Sequence, residues 1–167
     1  LALSVANNGG NVVVNNTAAV LNLGNVSQSG AGNVTISNNG AMTVGGQVAN
    51  PVGNVLLFSS GAMTTQSGSM VSSSGNLGLF GGGLATNGAV SAGGFITLDA
   101  DVFKLTVNGS VSGSGPQVNL YAGDMAINAP ISNPTGAVVL NHISAGPVTL
   151  GGGLTGFGIS EAELKRI

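Results

Sequence analysis

A five-residue unit recurs along this chain at nearly constant spacing, and that recurrence limits the chain to a narrow set of folds. The unit opens on Gly and then alternates: Gly10-Asn11-Val12-Val13-Val14, Gly32-Asn33-Val34-Thr35-Ile36, Gly53-Asn54-Val55-Leu56-Leu57, Gly75-Asn76-Leu77-Gly78-Leu79 and Gly94-Phe95-Ile96-Thr97-Leu98. Two looser copies follow, Pro116-Gln117-Val118-Asn119-Leu120 and Gly136-Ala137-Val138-Val139-Leu140. The starts at 10, 32, 53, 75, 94, 116 and 136 are separated by 22, 21, 22, 19, 22 and 20 residues. Every copy is aliphatic at its third and fifth positions, while the residue between them varies freely from Val to Thr, Gly or Asn. That is period 2, a strand with two side chains facing in and one facing out.

Each copy carries a second alternating pair: Leu21/Leu23, Met42/Val44, Met63/Thr65, Leu105/Val107, Met125/Ile127 and Val148/Leu150, with Leu84 and Thr86 the poor match. A third signal is a single aliphatic residue: Val5, Val26, Val48, Val71, Val90, Val111, Ile131 and Leu154. One repeat of about 21 residues therefore holds three short strands separated by Gly, Asn and Ser turns. Such a unit cannot bury its own apolar side, so the repeats must stack. The expected fold is all-β, a parallel β-helix of about seven coils, right-handed because parallel crossovers favour that hand. At about 4.8 Å per coil the stack spans roughly 34 Å.

Other repeat folds fit less well. A propeller blade needs four antiparallel strands in about 40 residues, and a leucine-rich repeat needs a fixed Leu and Asn ladder. A calcium-binding nonapeptide roll needs recurring Asp, and this chain has only Asp99, Asp101 and Asp124. Stacking also accounts for 30 glycines and only 5% charged residues. Turns use Gly and Asn, which tolerate positive φ. Like residues lie directly above one another, so a column of Lys or Glu would repel itself. A column of Asn can hydrogen-bond along the stack, and Asn11, Asn33, Asn54 and Asn76 share one position in four successive coils.

The last residues break the pattern. Ser160 with Glu163 forms a capping box, with acids early and bases late to match a helix dipole. This divides the chain into β-helix repeats over 1–158 and a short helix or linker between modules over 159–167. The chain opens inside an apparent strand without Met and ends inside an apparent helix, so it reads as a piece of a longer polypeptide that continues beyond it.

These coils, beginning Gly-Asn-aliphatic and rich in Gly, Ser, Asn and Thr, resemble the β-helical shafts of filamentous haemagglutinin-like exoproteins. Those are very large adhesins exported by two-partner secretion in Gram-negative bacteria. The stretch Gly156-Phe157-Gly158-Ile159-Ser160-Glu161-Ala162-Glu163-Leu164-Lys165-Arg166-Ile167 resembles a linker between repeat modules in some of them. The resemblance implies an extracellular or cell-surface rod with adhesive, filament-forming or biofilm roles. Nothing in the chain matches the family's N-terminal secretion domain.

Enzymes that cleave acidic polysaccharides share the β-helix and build sites from carboxylates and bases on one outer sheet. Asp99, Asp101 and Lys104 in one coil and Asp124 in the next are the residues to weigh. Asp124 falls out of column, and no Arg among the coils could hold a uronate, so no catalytic residue is expected and the chain reads as a non-enzyme. His142 reads as a turn histidine, too isolated for a triad or a metal site. The runs Gly81-Gly82-Gly83 and Gly151-Gly152-Gly153 lack the Lys and helix of a phosphate loop. No cofactor or metal is expected. Three cations, Lys104, Lys165 and Arg166, are too few for a nucleic-acid surface, and no apolar run approaches a membrane span.

One outward position is unusual. The sixth residue of the unit reads Asn15, Ser37, Phe58, Phe80, Asp99, Tyr121, Asn141. Phe58, Phe80 and Tyr121, with Leu56 on the same sheet, form a candidate contact surface for other copies or other parts of the parent chain, or for glycans. The opposing expectation is that the chain turns there and the rings fold inward. A segment that packs side by side or end to end into an extracellular fibre and a polysaccharide-active enzyme are the rival readings of the whole.

Overall fold

The computed structural model describes residues 1–144, 148–150 and 157–167. The described residues form a parallel solenoid with one short helix. The first strands of the coils form a seven-stranded sheet: Val12–Asn16, Val34–Asn38, Val55–Ser59, Leu77–Phe80, Ile96–Asp99, Gln117–Ala122 and Ala137–His142. Its register is the one the repeats predict. Val12, Val34, Val55, Leu77, Ile96, Val118 and Val138 are successive partners.

The second pairs stack in the same way, from Leu21 through Met42, Met63, Leu84 and Leu105 to Met125. The single aliphatics form a third column, from Val5 through Val26, Val48, Val71, Val90 and Val111 to Ile131. These two columns join at one end because Val20–Gln28 runs as a single nine-residue strand. In that coil two strands have merged, and Ala2–Asn7 pairs along its length with a register shift between Leu3 and Val5. Leu154 and the glycine run at 151–153 lie outside the described residues. So do the side chains of Val148 and Leu150.

The three columns converge on one apolar core in which Ile36, Leu57, Leu79, Leu98 and Leu120 are fully buried. Leu84 and Thr86, the poor match in sequence, are buried in register with the rest. Thr65 pays for its place with a hydrogen bond, its hydroxyl accepting the Gly88 N–H at 2.9 Å. The core also turns its corners with polar groups. Asn50 is wholly buried, its amide donating to the Gly32 and Asn54 carbonyls and accepting from the Val52 and Gly53 N–H groups. Buried polar groups are tolerated when they are bonded this fully.

The Asn column is a hydrogen-bond ladder. The backbone N–H groups of Asn33, Asn54, Asn76 and Phe95 each donate to the side-chain oxygen of the Asn one coil earlier, at 2.9, 2.9, 2.7 and 3.0 Å. A second ladder, Asn128 to Asn108 to Asn87, joins side chain to side chain at 2.8 and 2.7 Å.

Near the C-terminus, Phe157–Ile159 pairs with Val148–Leu150. Ser160 then caps the helix Glu161–Leu164, with both halves of the capping box formed. The helix is a single turn, so the bases do not sit in its last turn as expected: Lys165 is the C-cap and Arg166 lies beyond it. Arg166 instead closes the end of the second and third columns. Its guanidinium donates to the Ile127 carbonyl at 2.8 Å, and its carbonyl accepts the Ile131 N–H at 2.7 Å. The Glu163 carboxylate accepts the Ile127 N–H at 2.9 Å. The segment therefore covers strand edges that would otherwise be free to pair. Burial pushes the Glu163 carboxyl upward, but N–H groups of Ser160 and Ile127, the Ser160 hydroxyl and the Arg166 charge outweigh it. The net direction is below the usual carboxylate value.

Candidate functional site

The sixth-position residues form a true column. Asn15, Ser37, Phe58, Phe80, Asp99, Tyr121 and Asn141 are consecutive register partners. Strand alternation puts Leu57 and Leu79 in the core, so Phe58 and Phe80 point out. The rings do not extend the core. Phe58 is 37% exposed, and the two rings stack with centroids 4.7 Å apart and planes 10° from parallel. The separation equals the coil spacing, so the solenoid itself sets the stack.

The Phe80 ring also covers its own sheet. A Cβ built on Gly78 would collide with that ring and lie 3.0 Å from the Leu56 side chain. Gly78 is thus buried although it faces outward, because an aromatic neighbour fills the space of its missing side chain. Leu56 is half-buried at the same face, and Tyr121 is half-buried two coils beyond Phe80.

Beside the rings, the turn after Ile96–Asp99 makes a corner. The Asp101 N–H donates to Asp99 Oδ1 at 2.8 Å, and Asp101 has a φ of 53°, a conformation that Asp tolerates better than most residues. The corner projects Phe103, 56% exposed. Phe58, Phe80, Asp99, Asp101, Phe103 and Ile143 line one open groove of about 600 Å³. The sequence did not single out Phe103 or Ile143. Both sit where one strand turns into the next, outside the alternation that located the column.

The charged residues separate into two sets. Asp99 and Asp101 share the groove, whereas Lys104 and Asp124 are register partners on the second column and pair at 3.2 Å. His142 is not in a turn. It ends the strand Ala137–His142, is half-buried, and packs its ring 4.4 Å from Phe157. Gly81–Gly83 is a turn between two strands, with Gly83 at a φ of 95°. Among the described residues no group of three His, Asp or Glu side chains could hold a metal ion, and no helix is long and apolar enough to cross a membrane.

No protein-family model, curated protein or solved structure matches the chain.

Proposed function

We propose that this chain is a structural segment of a rod, from the shaft of a large secreted bacterial surface adhesin, and that it acts by contact and not by catalysis. The observation that supports this most is the Phe58–Phe80 stack, a pair of outward rings held in register by the coils beneath. Outer positions are otherwise mostly small and polar, so an apolar ridge there is a surface that gains from being covered. The stacked rings cover each other's faces and present edges, which suits packing against protein better than stacking on a sugar.

The enzyme reading lacks support in the placement of charges: Asp99 and Asp101 share the groove without a neighbouring base, because Lys104 is paired elsewhere. The end-to-end form of the fibre reading needs free strand edges at both ends, and at one end Ile127 and Ile131 are already bonded to Glu163 and Arg166. Adhesion, export by two-partner secretion and a place on the outer surface of a Gram-negative cell complete the proposal.

The test is binding of the purified chain to bacterial or host cells, with the double variant Phe58→Ser, Phe80→Ser beside it. Covering a Phe gains roughly 1.5–3 kcal/mol, so the variant should bind measurably less while keeping its melting transition. Equal binding by both proteins, turnover of a polyuronate, or fibres of the pure chain on electron microscopy would each overturn the proposal.

A further inference from the structure

The net side-chain charge of this molecule lies in one place. Of five acids and three bases, Asp124 pairs with Lys104, Glu161 with Lys165, and Glu163 feels the charge of Arg166. Asp99 and Asp101 remain, and they account for the formal charge of -2. Both lie in the groove with Phe58, Phe80, Phe103 and Ile143. A groove that sets exposed aromatic rings beside the surplus negative charge, with Asn and Ser side chains such as Asn38 and Ser60 filling the rest of its wall, is complementary to a cation carried on an apolar body.

We propose that this groove docks an arginine-bearing apolar segment of a partner protein. The inference rests on the aromatic column being a contact surface, and it names the partner's chemistry. Asp99 has an aromatic register partner on each side, Phe80 before it and Tyr121 after it. Phe80 stacks on Phe58 with one face, and its other face is turned toward the coil of Asp99, a slot where a flat guanidinium can lie on the ring and reach the Asp99 carboxylate. Arginine fits such a slot better than lysine, because its planar group stacks on rings and bonds a carboxylate through two N–H donors. Phe103 and Ile143, both exposed beside the slot, would take the aliphatic neighbours of that arginine. The chain's own Arg166 is not available, since it is held on Ile127.

The experiment is an amide-resolved NMR titration of the full chain with labelled peptides of alternating Leu and Arg, Leu and Glu, or Leu and Ser. The Leu-Arg peptide should shift the amides of Phe80, Asp99, Asp101 and Phe103 saturably, and about 0.5 M salt should weaken it. The variant Asp99→Asn, Asp101→Asn keeps the corner, because Asn retains the oxygen that accepts the Asp101 N–H and tolerates positive φ. Its affinity for Leu-Arg should fall about tenfold. Unchanged affinity in that variant, equal binding of Leu-Glu, or preferential binding of a neutral oligosaccharide or an anionic vesicle would overturn the proposal. If the Asp variant binds normally and the Phe58→Ser, Phe80→Ser variant does not, the contact surface stands and the arginine partner falls. If neither variant changes binding, both fall.

Discussion

Replacing Leu79 with Asp puts a carboxylate between Leu57 and Leu98, its register partners in the coils on either side. All three side chains are fully buried. Two costs follow. Losing the leucine costs what Leu→Ala does in a tight core, about 2–5 kcal/mol. Keeping the new acid neutral at pH 7 means raising its pKa from about 3.9 by roughly three units, a further cost of about 4 kcal/mol. The sum, about 6–9 kcal/mol, matches the whole stability of many domains. The two parts separate by pH. A buried acid has a raised folded-state pKa, so its penalty is absent below about pH 3.9 and grows as pH rises above it. Thr97→Asp, at a half-buried outward site one residue from the core position Leu98, should change stability by no more than about 0.5 kcal/mol. Urea melts followed by circular dichroism at about pH 4 and pH 7 measure both variants. Equal effects of the two substitutions, or a Leu79→Asp deficit that does not shrink at the lower pH, would refute the register.

Asn54→Ala removes the oxygen that accepts the Asn76 N–H, and should cost about 1 kcal/mol, read as a lowered thermal midpoint. Gly78→Ala drives a methyl into the Phe80 ring, so that ring must leave the stack; the ring-current shifts between Phe58 and Phe80 should vanish from the NMR spectrum. The lowered pKa of Glu163 means its contribution to stability is present above the unfolded value of 4.5 and lost as pH falls through the folded value. Glu163→Gln should therefore flatten the acid limb of the stability curve and speed hydrogen exchange at the Ile127 amide.

Register was legible in the sequence because inward positions admit only aliphatic residues, and a strand has a strict period of 2. Val34, Leu57 and their column mates could be placed from that rule, and the column of Val90 from the recurrence of a single aliphatic residue in each repeat. The Asn ladder was legible as a column, but its bonding was not. Asn11, Asn33 and Asn54 bond to the next coil's backbone N–H and not to one another, which depends on side-chain rotamers. The buried corner residues went unseen for a similar reason. Gln28, Asn50 and Ser73 each follow the third-column aliphatic by two residues, a regular spacing, but their polarity disguised them as turn residues. The merger of two strands in Val20–Gln28 also left no mark in composition.

The candidate site was half legible. Alternation located Phe58, Phe80, Asp99 and Tyr121, yet it could not choose between rings turned in and rings turned out. Gly78 decides that in the structure, since the space over it is where Phe80 lies. Phe103 and Ile143 sit at corners, where period 2 stops and side-chain direction depends on the turn. The grip of Glu163 and Arg166 on Ile127 spans 36 and 39 residues, beyond any local pattern.

The most direct test of in-register parallel coils is distance measurement between spin labels, which the absence of Cys makes clean. Labels at outward positions of one column, in the pairs Thr35–Thr97, Thr35–Asn119 and Val13–Val139, are three, four and six coil steps apart. Stacked coils predict backbone separations of about 14, 19 and 29 Å, a rise of about 4.8 Å per step. Distances that fail to grow in that order, or that place Val13 and Val139 close together, would contradict the solenoid and every conclusion built on its columns.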